Sequence, residues 1–489
     1  MDPLTALLAV LLLLALVYWY GTKDFGSLEK LGVPVIKPYP FIGSILKPWE
    51  SFCVSDDLQN ARKYGRLWGL YEGPWAQLFV ADVDMAKHIM IKDFDHFQDR
   101  PVLFDFEYGR DQMDMMPADR WKVLRSLLAP ALTTSGRLKA MTPTMQQCLD
   151  DACRRMEAKL RDSPVIDAQA DLFGPLTLDV MAQFSFGMKV PDVADKNSVF
   201  VKHASAFGVP TDATPNPLIT YILTSFPSLG NRVAGRQLIP AFRYFLEMIR
   251  RSIKQRRAEG VHRPDLVGVI MDAIDNKVPT AEYRQLRLTE EILLLQGAEM
   301  LMAAYDTVGS ALNKSAYFLA TEPEAAEEVA QEAQELDELT YESVAQLPKL
   351  EAFIKEVLRM APLLVRHFRV CTRDWEYQGL RVPAGTSVTI PMSVFHMDEQ
   401  LFPEARQFRP ARWLEEDAHR SHQYSWMPFG LGPHACLGAR LAMVECKFFL
   451  AGFLRRYRFL ACDQTKFEYL PGSGLFATTK PIMVKVEKL

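Results

Sequence analysis

One cysteine, Cys436, lies between glycines in Phe429-Gly430-Leu431-Gly432-Pro433-His434-Ala435-Cys436-Leu437-Gly438, directly before a long helix-forming run. Gly432 and Gly438 free the backbone to turn tightly around the sulfur. A helix starting near Gly438 aims its N-terminal N–H groups and positive dipole end at a thiolate. Such a cysteine can stay deprotonated and bind iron; its plain alternative is a small thiol packed in a loop. Glu356-Val357-Leu358-Arg359 sets a carboxylate and a guanidinium one helical turn apart. A chain this charged contains about one or two such pairs by chance, ordinarily as solvated surface pairs. Asp306 and Thr307 lie within an apolar helical run, where an acid and a hydroxyl are costly unless paired. Alone they read equally as a Thr bonding back to the preceding turn beside a surface Asp. Trp121 and Arg125, in W-x-x-x-R, put an indole N–H and a guanidinium on one helix face, both suited to an anion.

These groups need a large body to position them. The 489 residues, 49% hydrophobic and 24% charged, can bury such a core. No Gly/Ser linker, low-complexity tract or solenoid repeat divides the chain, which points to one catalytic body. A net charge of −4 leaves no basic footprint for nucleic acid. Seven cysteines without a C-x-x-C pair argue against a disulfide framework or zinc site and for a reducing compartment. The uncharged stretch 3–22 is long enough as a helix to cross roughly 30 Å of hydrocarbon. It starts after Asp2 and ends in Val17-Tyr18-Trp19-Tyr20, with Lys23 following, so it reads as a retained anchor rather than a cleaved signal. A proline-rich linker follows at 23–44, and the catalytic domain is expected over 45–489. Leu67 to Val80 predicts a hairpin, 119–334 mostly helices, and Ala477 to Val486 a late strand. The class expected is mainly α with a minor antiparallel β-sheet.

Phe429, Gly432, Cys436 and Gly438 match the signature F-x-x-G-x-x-x-C-x-G, and on it the chain resembles the cytochrome P-450 superfamily, the haem-thiolate monooxygenases. The resemblance spans essentially the whole chain and implies the prism fold of that superfamily, with haem b between a long central helix and the cysteine loop. It makes Cys436 the proximal iron ligand, favouring O–O cleavage, with Phe429 and Gly438 at the cofactor. Ala303-Ala304-Tyr305-Asp306-Thr307 is similar to the family's A-G-x-[D/E]-T segment. Thr307 would then hold water or peroxide, Asp306 would relay protons and Ala303 would lie against the haem. Ala304 stands where Gly is usual, which implies a narrower oxygen groove. Trp121, Arg125 and Arg369 match propionate-binding positions. His434 would join them, donating from imidazole where most membrane-bound relatives carry Arg. Phe408-Arg409-Pro410-Ala411-Arg412-Trp413 resembles the segment whose Arg joins E-x-x-R, so Glu356, Arg359 and Arg412 would form a buried structural network.

Phe104, Phe106, Met113 and Met116 form an apolar, adaptable set suited to an apolar substrate, with plain packing as the alternative; by family position Leu363 and Leu364, and Leu475 and Phe476, would also face the pocket. The apolar segment Leu218 to Phe226 would dip into the bilayer. Tyr64-Gly65-Arg66-Leu67-Trp68-Gly69-Leu70-Tyr71 and the Trp121 segment look like the microsomal, family 3-like branch that oxidises xenobiotics, steroids and lipids. That branch implies an endoplasmic reticulum anchor with a cytosolic catalytic domain, a membrane partner and small apolar substrates. Electrons would come from NADPH-cytochrome reductase, with cytochrome b5 as an accessory donor, because the chain has no flavin or nicotinamide motif of its own. Arg120, Lys122, Arg440 and Lys447 would receive the reductase. A haem-thiolate isomerase acting on a peroxide and a non-enzymatic haem carrier or sensor are the alternatives. Asp306 and Thr307 argue for the monooxygenase.

Overall fold

The computed structural model describes residues 3–45, 53–73, 75–102, 105–190, 193–195, 197–207, 227–263, 265–415, 423–470 and 477–489. Helices dominate, and three small sheets lie among them. At the N-terminus the helix Pro3–Thr22 has a mean hydropathy of 2.2 and only 6% of its most apolar window buried. Among the described residues it is the one helix long and apolar enough to cross a membrane. The chain then packs back on the body: Leu28 is buried, Val35 bridges to Gly69, and Ser44 N donates to the Tyr71 carbonyl at 2.7 Å.

The largest sheet contains β1 (Leu67–Glu72), β2 (Trp75–Val80), β4 (Arg366–Val370) and β7 (Ser387–Pro391), in the order β1-β2-β7-β4. The hairpin β1–β2 lies where the Gly and Pro punctuation predicts it. The sheet is mixed, not purely antiparallel, because β2 and β7 run parallel. A helical body separates these two strands in sequence, so no short turn dictates their direction. β3 (Val165–Asp167), β8 (Tyr457–Leu460) and β9 (Met483–Lys488) form a second sheet, and β5 (Trp375–Tyr377) with β6 (Leu380–Val382) a third. The late strand starts at Met483 rather than Ala477, since Pro481 has no N–H to give a ladder.

The long central helix, Glu290–Thr321, begins at Thr289, whose hydroxyl accepts the Ile292 N–H at 3.3 Å, with Glu290 and Glu291 in its first turn. At 32 residues it is about 48 Å long. Apolar side chains around most of its circumference bury it against the helices Gly174–Phe186, Pro227–Glu259, Leu266–Asn276 and Ala439–Leu454. The last of these continues directly from the cysteine loop and so ties the loop to the central helix, while Gly430 of the loop faces His367 of β4.

Candidate active site

The cysteine loop takes its shape from two left-handed glycines, Gly430 at φ 72° and Gly432 at φ 70°. A Cβ on Gly432 would also collide with the Met90 carbonyl. Cys436 N donates to the Phe429 carbonyl at 2.7 Å and Ala435 N to that of Gly432 at 2.9 Å, closing the loop. Gly438 differs from expectation: its φ of −88° is ordinary for any residue. Nothing stands within 4 Å of where its Cβ would be. The position offers open space beside the sulfur rather than backbone freedom. Cys436 has accessible surface although protein encloses it, so that surface belongs to an internal chamber. Burial pushes the Cys436 thiol up, while the Gly438 and Ala439 N–H groups and the charges of Arg125 and Arg100 pull it down. Those N–H groups are the helix start that the sequence placed at the sulfur.

The central helix opens onto similar enclosed space. Ala303 is exposed and Thr307 half-buried, while Leu301 and Val308 beside them are buried. Thr307 Oγ1 donates back to the Ala303 carbonyl at 2.7 Å. Asp306 is not a surface acid: burial raises it above the ordinary carboxylate range, and the Lys314 charge opposes the rise.

Beside the loop three guanidinium groups converge. Arg125 Nη2 donates to the Ala435 carbonyl at 2.8 Å. Arg100 donates to the carbonyls of His434 and Asp114, each at 3.1 Å. Arg369 is 2% exposed, and its Nε has no partner. Burial, then the like charge of Arg100, pushes Arg369 down to about 9. Trp121 closes the group, its ring centroid 4.0 Å from that of His434. Buried cations short of acceptors fit a bound anion.

His434 departs from expectation. It is wedged between Trp121 and Phe94, with Nε2 at 2.6 Å from the Gln98 carbonyl. Facing a carbonyl, Nε2 must carry the proton, so the buried Nδ1, which has no partner, is a bare acceptor. Burial, then Arg100 and Arg369, pushes the ring down to about 3 and keeps it neutral. The ring therefore has no donor left for a propionate. Arg100, which no motif marks, is the additional cation at this place.

The E-x-x-R pair lies fully buried in the helix Pro348–Met360. Glu356 accepts from Arg359 Nη2 at 2.7 Å and Nε at 2.9 Å, Arg412 Nε at 3.1 Å, Arg409 N at 2.9 Å and Trp413 Nε1 at 2.9 Å. Arg359 Nη1 reaches the carbonyls of His396 and Ala405. His396 Nε2 accepts Met427 N at 3.1 Å, and the Met427 carbonyl takes Gly430 N at 2.9 Å. The network is thus joined to the cysteine loop through His396.

Met113 and Met116 pack in a buried cluster with Trp121 and Phe94. Phe106 packs against the same cluster and on Gly235, beside a surface cleft that Ile239 and Pro240 also line. Leu363 and Leu364 are half-buried ahead of β4. Phe104, Leu475, Phe476 and the segment 218–226 lie outside the described residues. Lys447 cannot serve a docking face, because it is 4% exposed and bonded to the Ala345 carbonyl and Glu351. Arg440 is held by the Thr133 carbonyl, Ser135 and Tyr341.

Among the described residues no three His, Cys, Asp or Glu side chains gather where they could hold a metal. The donor set at Cys436, one thiolate with cations nearby, suits a metal whose other ligands come from a carboxylate-bearing macrocycle. The Cytochrome P450 family model matches residues 33–486. The chain is 29% identical over 487 residues to Cytochrome P450 3A12 of Canis lupus familiaris, covering 97% of this chain and 95% of that protein. It is 30% identical over 497 residues to Cytochrome P450 3A7 of Homo sapiens, covering 98% and 96%. Over 484 residues it is 30% identical to Cytochrome P450 3A13 of Mus musculus, covering 97% and 94%. The chain belongs to the cytochrome P-450 family and is a haem-binding monooxygenase.

Proposed function

We propose that this protein is a membrane-anchored monooxygenase of small apolar molecules, with Cys436 as the iron ligand. The observation that carries the reading is the enclosed Cys436 with its N–H donors and neighbouring cations. Bound there, haem would supply the iron centre for activating O2. One oxygen atom enters the substrate and the other leaves as water, which requires two electrons and two protons. Arg100, Arg125 and Arg369 would hold the propionates, and the Gly438 and Ala439 N–H groups would stabilise charge on the sulfur. Thr307 Oγ1 can turn from the Ala303 carbonyl towards a ligand while Asp306 passes protons inward from its enclosed position. An acid and an alcohol at this place suit oxygen cleavage; an isomerase using a ready-made peroxide has no need of a proton supply.

Residues 3–22 would anchor the protein in the endoplasmic reticulum, 23–44 would orient it, and 45–489 would form the cytosolic catalytic body. Electrons would come from NADPH-cytochrome reductase, with cytochrome b5 assisting. Burial removes Lys447 from that contact, which leaves Arg120, Lys122 and Arg440. The test is turnover in vesicles with NADPH and a purified reductase: oxygenated product should require both. Turnover from a peroxide alone, with no dependence on NADPH, would refute this reading.

A further inference from the structure

Two turns beyond Thr307 on the central helix lies Lys314, fully buried. Its Nζ donates to the Pro362 carbonyl and to the Ala477 carbonyl, each at 2.9 Å. The two acceptor segments are also joined directly, by Ala477 N donating to the Leu363 carbonyl at 2.7 Å. One amine group therefore closes a triangle between the central helix, the segment leaving the helix Pro348–Met360 and the C-terminal hook at Ala477. The Tyr469 ring lies 5.7 Å from Nζ.

A methionine could fill this space, but it would leave the Pro362 and Ala477 carbonyls without this donor, so part of what Lys314 does is to satisfy them. What Met cannot do is hold two carbonyls at fixed places. Beyond Pro362 come Leu363 and Leu364 and then β4. There His367 Nε2 lies 3.0 Å from the Met427 carbonyl, and Arg369 joins the guanidinium group. The other end of the same link is the helix whose open face carries Ala303 and Thr307. Lys314 also bears on the chemistry of that face: burial pushes its amine down to about 7, and in its protonated form it favours the ionised form of Asp306 against burial.

We propose that Lys314 is a positioning residue of the monooxygenase, fixing the distance between the central helix and the Pro362–Leu364 wall and so selecting which bulky molecules fit between them. The proposal rests on the haem-thiolate reading above. Its test uses the full-length holoprotein in vesicles and two iron-binding probes, imidazole and 4-phenylimidazole, titrated by the Soret shift. Hydrogen exchange is followed in parallel on peptides spanning 361–365 and 477–482. In Lys314→Met, imidazole affinity should stay within about twofold while the 4-phenylimidazole-to-imidazole affinity ratio changes about tenfold, and exchange in both peptides should accelerate. Lys314→Gln, which retains an N–H donor, should recover most of the wild-type ratio and protection. An unchanged ratio with unchanged exchange in Lys314→Met would overturn the proposal, as would Lys314→Gln behaving like Lys314→Met. If wild-type protein gave no nitrogen-ligand Soret shift with imidazole, the haem-thiolate reading would fail; the exchange measurement, needing no probe, would still decide what Lys314 holds.

Discussion

Glu356→Ala removes the acceptor on which the proximal scaffold converges. The carboxylate has no exposed surface and takes five hydrogen bonds: two from Arg359 and one each from Arg412 Nε, Arg409 N and Trp413 Nε1. After the change two buried guanidinium groups face each other with no carboxylate between them, and the indole N–H loses its acceptor. Breaking one buried ion pair by removing a partner costs about 3–5 kcal/mol. This site loses contacts to two cations at once, so the cost should reach at least the upper part of that range. Against a typical stability of about 5–15 kcal/mol, much of the chain should fail to fold. Folded molecules should also hold haem poorly, because Arg359 positions His396, and His396 holds Met427 at the start of the cysteine loop. The assays are thermal unfolding and haem content per folded protein, with Glu356→Gln expected between Ala and wild type. A Glu356→Ala protein with wild-type melting temperature and full haem content would refute this reasoning.

Further outcomes follow from other residues. Asp306→Asn and Thr307→Ala should lower product formed per NADPH consumed by about tenfold or more while leaving haem content intact, measured as product against NADPH and peroxide yields; full coupling in both would exclude them from proton delivery. Glu445 is fully buried with both carboxylate oxygens unpartnered, and burial raises it to about 8 from its ordinary 4.5. The folded state therefore keeps a proton that the unfolded state releases. Stability should be greatest below about pH 4.5 as far as this group is concerned, fall as pH rises towards 8, and level off above it. Glu445→Gln should flatten that fall, by a few kcal/mol at most, in melts taken across this range. His434→Arg adds a fourth guanidinium beside Arg100, Arg125 and Arg369, so haem transfer to apomyoglobin should be no faster than from wild type; a clear acceleration would contradict the anion-binding role of this group.

The parts of the site legible in the sequence are those whose chemistry is local. Cys436 and its glycines lie within ten residues, and the reason for Gly432 is visible once a left-handed turn is needed there. Glu356 and Arg359 share one helical turn, which a spacing rule detects, but Trp413 and the Arg409 N–H are added by a fold that brings a distant loop to them. Arg100 lay beyond such reading altogether: its acceptor, the His434 carbonyl, is 334 positions away and carries no side-chain signature. Lys314 was hidden for the same reason, since both its partners are main-chain carbonyls. His434 misled because spacing shows which residue type stands beside the sulfur but not which atom its ring faces. Burial decided Lys447 as well, a basic residue that looks like a docking cation until its helix is seen to turn it inward. The parallel pairing of β2 with β7 depends on the packing of the helices between them, which hydrophobic periodicity does not encode.

The central claim is that Cys436 holds the haem iron as a thiolate. The direct measurement is the absorption spectrum of the reduced protein under carbon monoxide, for wild type and for Cys436→Ser at matched folded concentration. The account predicts the strongly red-shifted Soret band of thiolate-ligated haem in wild type and its loss in Cys436→Ser. A folded, haem-loaded wild type without that band, or a Cys436→Ser protein that keeps it, would contradict the account.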